Sequence, residues 1–247
     1  MVRIFGFVAA AVLSLQFSAL PAAAEVISLA GHTVTLEPIP GFCALDKSRT
    51  LEKQAFNIYE EILAPESQLL AFWIDCGALE AMRSNTGDGL GPYILVTASW
   101  KNDRVFETGA ARRLVVERAR NEIAGAYGRD EFPLNPDLQS RDKIDGTVKS
   151  FAAGVKSGSQ SGTQKFMGFM GRDENGLYYA TVQMKAQADA YVLASVTGMT
   201  KIRRFVISAI AYERYADPQT FLTLKDRATT AVTTLIANNP FNDSYGN

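Results

Sequence analysis

Histidine and cysteine are scarce in this sequence, and much hydrolytic and metal chemistry in proteins draws on those two side chains. The 247 residues include one histidine, His32, and two cysteines, Cys43 and Cys76. A serine triad needs a general base, and His32 follows Gly31 in a predicted turn, where we expect it to be exposed. One histidine and two distant cysteines do not supply the ligand spacing of a zinc site. We therefore predict no catalytic residue, no metal site and no cofactor.

The sequence also lacks an excess of positive or negative charge. Lysine and arginine together number 25 and aspartate and glutamate 26, which gives a formal net charge of -1. Such a balance lacks the basic footprint of a nucleic-acid-binding protein, so we expect no nucleic-acid partner. Glycine-rich phosphate and dinucleotide motifs are absent, and the 158–162 stretch has Gln160 where a nucleophile elbow needs serine. With 47% hydrophobic residues, the composition is that of a folded globular protein.

Carboxylate chemistry is less restricted, because a glycosidase-type hydrolase needs only two carboxylates at a suitable separation. Asp75, Asp88 and Glu107 are candidates, but no spacing between them marks a site. We interpret them as solvated surface acids and keep a hydrolase that uses paired carboxylates as an alternative function.

Two further groups of side chains could contact a ligand. Lys201, Arg203 and Arg204 form the densest basic run, between two predicted strands. We interpret this run as a solvated hairpin tip, with contact to an acidic ligand or a lipid headgroup as the alternative. Trp73 and Trp100 lie on predicted strands, where we expect them to pack under helices, and a ligand groove is the alternative.

A long apolar run occurs only at the N-terminus. Arg3 precedes apolar residues at 4–15, and the small residues Ala22 and Ala24 match the specificity of signal peptidase. We interpret residues 1–24 as a signal peptide that is cleaved after Ala24, so that the protein is exported, and periplasmic if its source is a Gram-negative bacterium. An uncleaved anchor helix is the alternative. We expect no transmembrane segment in the mature chain.

Export changes the interpretation of the cysteines. In an oxidising compartment, Cys43 and Cys76 are expected to form one disulfide bond. Two independent buried thiols, or a reactive thiol with a resolving partner, stay open as alternatives. A redox pair would favour a C-x-x-C spacing, which the sequence lacks.

Hydrophobic periodicity predicts a mixed fold of helices and strands. Strands 93–100 and 205–214 are apolar on both faces, as expected for a sheet that helices cover on both sides. We predict an α/β (α+β) fold of the α/β/α sandwich type, with a central, mostly antiparallel sheet. The predicted elements are a hairpin at 26–37, helices at 48–63, 108–127 and 217–238, and strands at 69–76, 93–100, 148–155, 165–171, 177–185, 191–197 and 205–214.

Three local patterns make specific predictions. Asn175-Gly176 predicts a hairpin turn with positive φ angles. In strand 69–76, we expect side chains to alternate strictly between the two faces. In the first helix, apolar residues at three- and four-residue steps mark the face that we expect to be buried, namely Leu51, Ala55, Ile58, Tyr59, Ile62 and Leu63.

Segment 128–142 contains two prolines and several charges, and it is the best candidate for a linker. The parts of the chain on either side show no repeat of each other. We therefore expect a single domain over 25–240 with a long internal connection, followed by a loose tail at 241–247. Division into two domains at this segment stays open.

The order of elements allows a comparison. A hairpin leads to the sequence Pro-Gly-Phe-Cys-Ala-Leu-Asp at 40–46, and the closing helix ends in Ala-Asn-Asn at 237–239. This resembles uncharacterised exported proteins of alphaproteobacteria, and the layout is similar to the PsbP/Mog1-like α/β/α sandwich. The resemblance implies a small accessory or binding protein without a shared catalytic constellation, so no functional residue is carried over.

These observations together favour a non-enzymatic periplasmic binding or accessory factor. Its partner would be an envelope protein or a small ligand. The alternatives are the carboxylate hydrolase and a protein associated with a lipid or membrane surface through residues 201–204.

Overall fold

A computed structural model of the chain describes residues 24–64, 66–87, 91–101, 104–127, 138–157, 163–185 and 190–240. In chain order, the elements within these residues are β1 (Glu25–Leu29), β2 (His32–Leu36), β3 (Phe42–Ala44), α1 (Thr50–Leu63), β4 (Ser67–Asp75), α2 (Cys76–Arg83), β5 (Tyr93–Lys101), β6 (Arg104–Val105), α3 (Arg112–Tyr127), α4 (Leu138–Lys156), β7 (Gln164–Arg172), β8 (Leu177–Lys185), β9 (Tyr191–Ile202), β10 (Phe205–Arg214) and α5 (Gln219–Asn238).

The predicted N-terminal hairpin is confirmed and forms a separate two-stranded sheet. β1 pairs antiparallel with β2, and the turn between them consists of Ala30 and Gly31, both with positive φ. The hairpin buries Leu29, Val34 and Leu36 in the core that α5 covers. A two-stranded ribbon has little stability alone, so this contact is what holds it in place.

The large sheet is antiparallel at every strand pair and has the order β3-β4-β5-β10-β9-β8-β7. β6 adds a two-residue pairing at the end of β5. Because β5 pairs with β10, strands that precede segment 128–137 and strands that follow it lie in one continuous sheet. The central antiparallel sheet predicted from the sequence is confirmed.

Helices pack on both faces of this sheet, as predicted. α4, α5 and the N-terminal hairpin enclose the larger core on one face. α1 and α2 lie on the opposite face over β4, and α3 lies on that same face over β8 and β9. The alternation of side chains along β5 explains why both faces are apolar: Tyr93 and Leu95 contact the α1 side, whereas Ile94 and Val96 lie in the larger core.

The closing helix was predicted correctly. The Asp217 carboxylate accepts a hydrogen bond from the backbone N–H of Gln219 at 2.7 Å, and Pro218 precedes the first helical residue. Side chains at three- and four-residue steps are fully buried against the sheet, and they are Phe221, Leu224, Ala228, Ala231, Val232 and Leu235.

The strand predicted at 148–155 is wrong, because these residues belong to the helix α4. Ile144, Val148 and Phe151 are spaced by four and three residues and are all at least 96% buried in the larger core. Two helix-weakening glycines, Gly146 and Gly154, obscured this period in the sequence. The predicted linker 128–142 is therefore helical from Leu138 onwards, and its part at 128–137 lies outside the described residues.

The strand predicted at 69–76 is also shorter than expected at its C-terminal end. Cys76 is the first residue of α2, a helix too short to produce a clear period. The predicted alternation fails at a register shift between Leu69 and Ala71, which turns Leu70, Ala71 and Trp73 all towards the larger core.

The hairpin at Asn175-Gly176 is confirmed, although its geometry differs from the one predicted. The Asp173 carboxylate accepts hydrogen bonds from the backbone N–H groups of Asn175 and Gly176, both at 2.8 Å. The φ angle of Gly176 is not in the left-handed region. Glycine is needed there because a Cβ would lie 2.7 Å from the carbonyl oxygen of Met199.

The prediction of the buried face of α1 is partly wrong. Leu51, Ile58 and Ile62 are 62%, 55% and 64% exposed. The residues that α1 buries include Glu52 and Phe56. The predicted buried face was misplaced because hydrophobic periodicity assigns acidic side chains to solvent, whereas Glu52 is buried.

Candidate functional site

The most distinctive surface of the molecule lies on the sheet between α1 and α3. We call it the open sheet face. The register aligns its side chains in two neighbouring rows across β10, β9 and β8, namely Tyr212, Ser195 and Thr181 in one row and Ile210, Thr197 and Tyr179 in the next.

These strands are covered unequally on their two sides. Ala180, Val196 and Ala209, which point from the same strands into the larger core, are 0% exposed. On the open sheet face, Tyr179 and Tyr212 are only half-buried, whereas Ser195 and Thr197 between them are 4% and 5% exposed. α1 packs on β4 and α3 on β8 and β9, so β10 runs between the two helices on this face.

Tyrosines form the wall of the open sheet face on the α1 side. The Tyr59 hydroxyl donates a hydrogen bond to the Tyr93 hydroxyl at 2.9 Å. The rings of Tyr93 and Tyr212 are stacked, with centroids 4.8 Å apart and an interplanar angle of 16°. Burial is the main cause that raises the pKa of both Tyr93 and Tyr212 above the ordinary tyrosine value.

Another aromatic group forms the wall on the α3 side. Phe166 of β7 stacks on Tyr127 of α3 with centroids 5.2 Å apart, and it contacts Phe169 edge-on at 5.4 Å. Tyr179 lies 6.1 Å from Phe166 between ring centroids. Tyr127 is 66% exposed, so this wall presents an aromatic ring to solvent.

Small hydroxyl side chains form the floor between the two walls. The hydroxyls of Thr181 and Ser195 are hydrogen-bonded at 2.6 Å, and Thr197 lies in the adjacent row. The register places Thr181 opposite Phe166 and Ser195 opposite Tyr212. Large rings thus flank small polar residues, of which Ser195 and Thr197 are only 4% and 5% exposed.

Positive charge marks one end of the open sheet face. Lys185 follows Thr181 and Gln183 on the same side of β8 and is opposite Tyr191 of β9. The guanidinium of Arg214 lies over the Tyr191 ring, 5.2 Å from its centroid. Burial lowers the pKa of the half-buried Lys185. We call Lys185 and Arg214 the cationic end.

Two of the predicted carboxylate candidates have separate structural roles. Asp75 caps α2, because its carboxylate accepts the Ala78 N–H at 3.0 Å. Glu107 forms an ion pair with Arg204 at 3.5 Å. Asp88 lies outside the described residues.

The basic run at 201–204 forms the turn between β9 and β10, but the prediction of a solvated tip is wrong for Lys201. Its side chain is buried, and its ammonium group donates a hydrogen bond to the carbonyl oxygen of Ala110 at 2.6 Å. Arg112 in turn donates to the Lys201 carbonyl at 3.1 Å. Lys201 therefore anchors the N-terminal end of α3, whereas Arg204 is exposed.

The other candidates from the sequence are the two tryptophans, His32 and the glycine-rich stretch. Trp73 is 1% exposed in the larger core, as expected, but Trp100 is 36% exposed beside β6, so the expectation of a covered position is wrong for it. His32 is half-buried rather than exposed, because its ring packs edge-on against Phe205 with centroids 5.6 Å apart. The glycine-rich stretch 158–162 lies outside the described residues.

The disulfide between Cys43 and Cys76 is confirmed and joins β3 to the first residue of α2. Beside it lies a buried ion pair that the sequence did not reveal. Glu52 accepts hydrogen bonds from Arg83 Nε at 2.8 Å and Nη2 at 3.1 Å, and from the Asp46 N–H at 2.6 Å. This network holds α1, α2 and the preceding loop together.

Among the described residues, no cluster of three or more histidine, cysteine, aspartate or glutamate side chains could hold a metal ion. None of the helices in the described part of the chain is long and apolar enough to cross a membrane.

The fold and this site together define a mixed α+β sandwich with an open, aromatic sheet face. In comparisons with known proteins, the chain matches no family model, no curated protein and no solved structure.

Proposed function

We propose that the protein is exported to the periplasm and acts there as a non-enzymatic binding protein, with the open sheet face as its binding surface. The observation that carries this proposal is a group of aromatic side chains that the fold leaves partly uncovered: Phe166, Tyr179 and Tyr212 are half-buried, and Tyr127 is 66% exposed. Ligand sites typically combine apolar and aromatic side chains with a few convergent polar groups. Here Tyr212 and Phe166 supply rings, and the half-buried Thr181 supplies a hydroxyl.

The disulfide supports export, because such bonds persist in oxidising compartments. Cleavage after Ala24 and a periplasmic location are parts of the proposal. Expression of the full chain in a bacterial host, followed by fractionation and mass measurement, tests both. We expect a periplasmic product that begins at Glu25 and has no free thiol. A cytoplasmic product that retains residues 1–24 would contradict export.

The binding surface is tested by crowding the open sheet face. Thr181→Phe places a further ring opposite Phe166 at a half-buried position, and Ser28→Phe makes a similar change at an exposed position of β1. Each protein is purified from its host's periplasm without denaturation, and compounds released on unfolding are identified by mass spectrometry. We expect a compound retained by the wild type and by Ser28→Phe, and lost in Thr181→Phe. Identical compounds in all three proteins, or none in the wild type, would overturn the proposal.

The two alternative functions have less support. The carboxylate hydrolase would need a pair of acids, and Asp75 and Glu107 are engaged in a helix cap and an ion pair. The lipid-associated protein would use the 201–204 run, in which Lys201 is buried. The PsbP/Mog1-like resemblance stays a prediction, and it implies the same binding or accessory class as the open sheet face.

A further inference from the structure

One side of α1 carries a line of apolar side chains that the rest of the described chain leaves uncovered. Leu51, Ile58 and Ile62 are 62%, 55% and 64% exposed. Ala55 lies between the first two and is half-buried. These four positions follow one another at steps of four, three and four residues, which places them along one face of the helix. We call them the α1 stripe.

The fold itself does not use the α1 stripe. Another side of α1 holds the helix on the sheet: Glu52 and Phe56 are buried there, and Tyr59 packs edge-on against Phe72 with ring centroids 4.9 Å apart. Single exposed apolar residues are ordinary on a protein surface, but several in line, with polar residues around them, are typical of an interaction surface. The α1 stripe is therefore available to another chain.

Negative charge accompanies the C-terminal half of the α1 stripe. Glu60 and Glu61 immediately precede Ile62, and Glu66 follows the end of the helix; all three carboxylates belong to exposed residues. None of them forms an ion pair with another described residue. The one basic residue of α1, Lys53, lies in its first turn, and the last turn has none. The negative end of the helix dipole is therefore uncompensated as well, and a partner with positive charge would complement it.

The size of the α1 stripe indicates a weak and reversible contact. α1 has 14 residues, which gives a length of about 21 Å, and a helix about 10 Å wide then offers a face of about 200 Å². A standard stable interface buries about 800 Å² on each partner. A second copy of this chain that met the first through α1 alone would therefore not form a stable dimer. A transient partner needs less area, and opposite charge speeds its association.

We propose that the α1 stripe is a docking site for a basic amphipathic helix of another protein, with the apolar side of that helix on the stripe and its lysine or arginine side chains at Glu60, Glu61 and Glu66. The site shares no residue with the open sheet face, so it goes beyond the proposed function. Helices that dock in this way present apolar anchors at three- and four-residue steps, which match the spacing of the stripe. The acidic end selects the sign of the partner's charge and fixes its orientation.

Two labelled peptides of the length of α1 separate the charged part of this proposal from the apolar part. One consists of leucine and lysine, with leucine at three- and four-residue steps, and the other has glutamate in place of every lysine. Fluorescence anisotropy with the folded protein measures the binding of both. The glutamate peptide should bind at least about tenfold more weakly than the lysine peptide, because its charges have the same sign as the acidic end of the site.

Substitutions at exposed positions locate the bound peptide on the protein. Ile58→Ser/Ile62→Ser should weaken binding of the lysine peptide about tenfold or more, because apolar contact is lost. Glu60→Gln/Glu61→Gln should weaken it about threefold to tenfold, and added salt should weaken binding to the wild type more than to this variant. If either isoleucine change impairs folding, Leu51→Ser replaces it.

The matched controls are Val26→Ser and Asp226→Asn. They change an exposed apolar and an exposed acidic residue on β1 and α5, which lie on the other face of the sheet, and they should leave binding of the lysine peptide unchanged. All variants should unfold thermally as the wild type does, since the replaced side chains are exposed.

Several results would overturn the proposal. The wild type might be found not to bind the lysine peptide, or to bind both peptides equally. Binding that ignores the changes at Ile58 and Ile62 would remove the site, and binding that ignores those at Glu60 and Glu61 would remove the basic class of partner. A wild-type dimer in light scattering that Ile58→Ser/Ile62→Ser dissociates would assign the α1 stripe to a second copy of the chain instead.

Discussion

The side-chain amide of Asn239 takes the place of a neighbouring strand beside Thr35. Its Oδ1 accepts the Thr35 N–H at 2.8 Å, and its Nδ2 donates to the Thr35 carbonyl at 2.8 Å. The same Nδ2 donates to the carbonyl of Leu235. This buried amide, which is 2% exposed, ties the N-terminal hairpin to the end of α5.

Asn239→Asp should destabilise the protein although it barely changes the shape of the side chain. The new oxygen faces two carbonyl oxygens, and a buried charge replaces a neutral donor. We expect a loss of about 2–4 kcal/mol in the free energy of unfolding, measured by urea denaturation. Asn57→Asp on the exposed side of α1 is the matched control. Equal stabilities of the two variants would contradict the role of Asn239.

The disulfide should make a measurable contribution to stability. It closes a loop with a sequence separation of 33, for which chain entropy gives about 3–4 kcal/mol. Replacing Cys43 and Cys76 by alanine together should lower the free energy of unfolding by an amount of this order. The wild type in reductant should behave in the same way. A double variant as stable as the oxidised wild type would show that the bond does not stabilise the native state.

Glu52 should make stability depend on pH in the acid range. Burial alone raises the pKa of its carboxyl, but hydrogen bonds from Arg83 and the Asp46 N–H, with the charges of Arg83 and Arg49, lower the pKa below its ordinary value. Its contribution is therefore complete above the unfolded-state value of 4.5 and is lost as the pH falls through the native pKa.

Two variants test this assignment by chemical denaturation across the acid range. Glu52→Gln should flatten the pH dependence of stability, whereas Glu60→Gln on the exposed side of α1 should leave it unchanged. Arg83→Met should cost about 3 kcal/mol at pH 7, because it leaves a buried carboxylate unpaired. A pH profile that is the same in Glu52→Gln and the wild type would refute the assignment.

Tyrosine ionisation should reveal the buried rings. Burial is the leading cause of a raised pKa at six of the nine tyrosines, and it raises the pKa of Tyr178 to about 12; the six are Tyr59, Tyr93, Tyr178, Tyr179, Tyr212 and Tyr215. The unfolded chain ionises near pH 10, so native stability should fall as the pH rises above that value.

Ultraviolet titration measures this directly. In the native protein, most of the phenolate signal should appear late and together with unfolding. In 6 M guanidinium, all tyrosines should ionise near the ordinary tyrosine pKa of about 10. Tyr212→Phe should reduce only the phenolate signal that appears late and leave the earlier signal unchanged. A single native transition near pH 10 would contradict the buried tyrosine cluster.

Helices and strands with a regular hydrophobic period were predictable from the sequence. In α5, cap, proline and apolar stripe agree with one another, and the helix lies where they place it. In α4, Gly146 and Gly154 weaken the local preference, and burial of Ile144, Val148 and Phe151 decides the helix instead. Glu52 could not be found for a related reason, because its partner Arg83 is distant in the chain and only packing brings them together.

The sequence by itself determined the mixed fold, the antiparallel sheet between helices and the pairing expected of Cys43 with Cys76, because period, turn residues and cysteine number are local or countable properties. The open sheet face was decided by tertiary structure alone. Strand register sets the buried Ser195 between Tyr212 and Thr181, and the separation of α1 from α3 leaves Tyr212 and Thr181 half-buried. Neither the register nor the helix positions can be derived from local periodicity, since both depend on contacts between residues far apart in the chain.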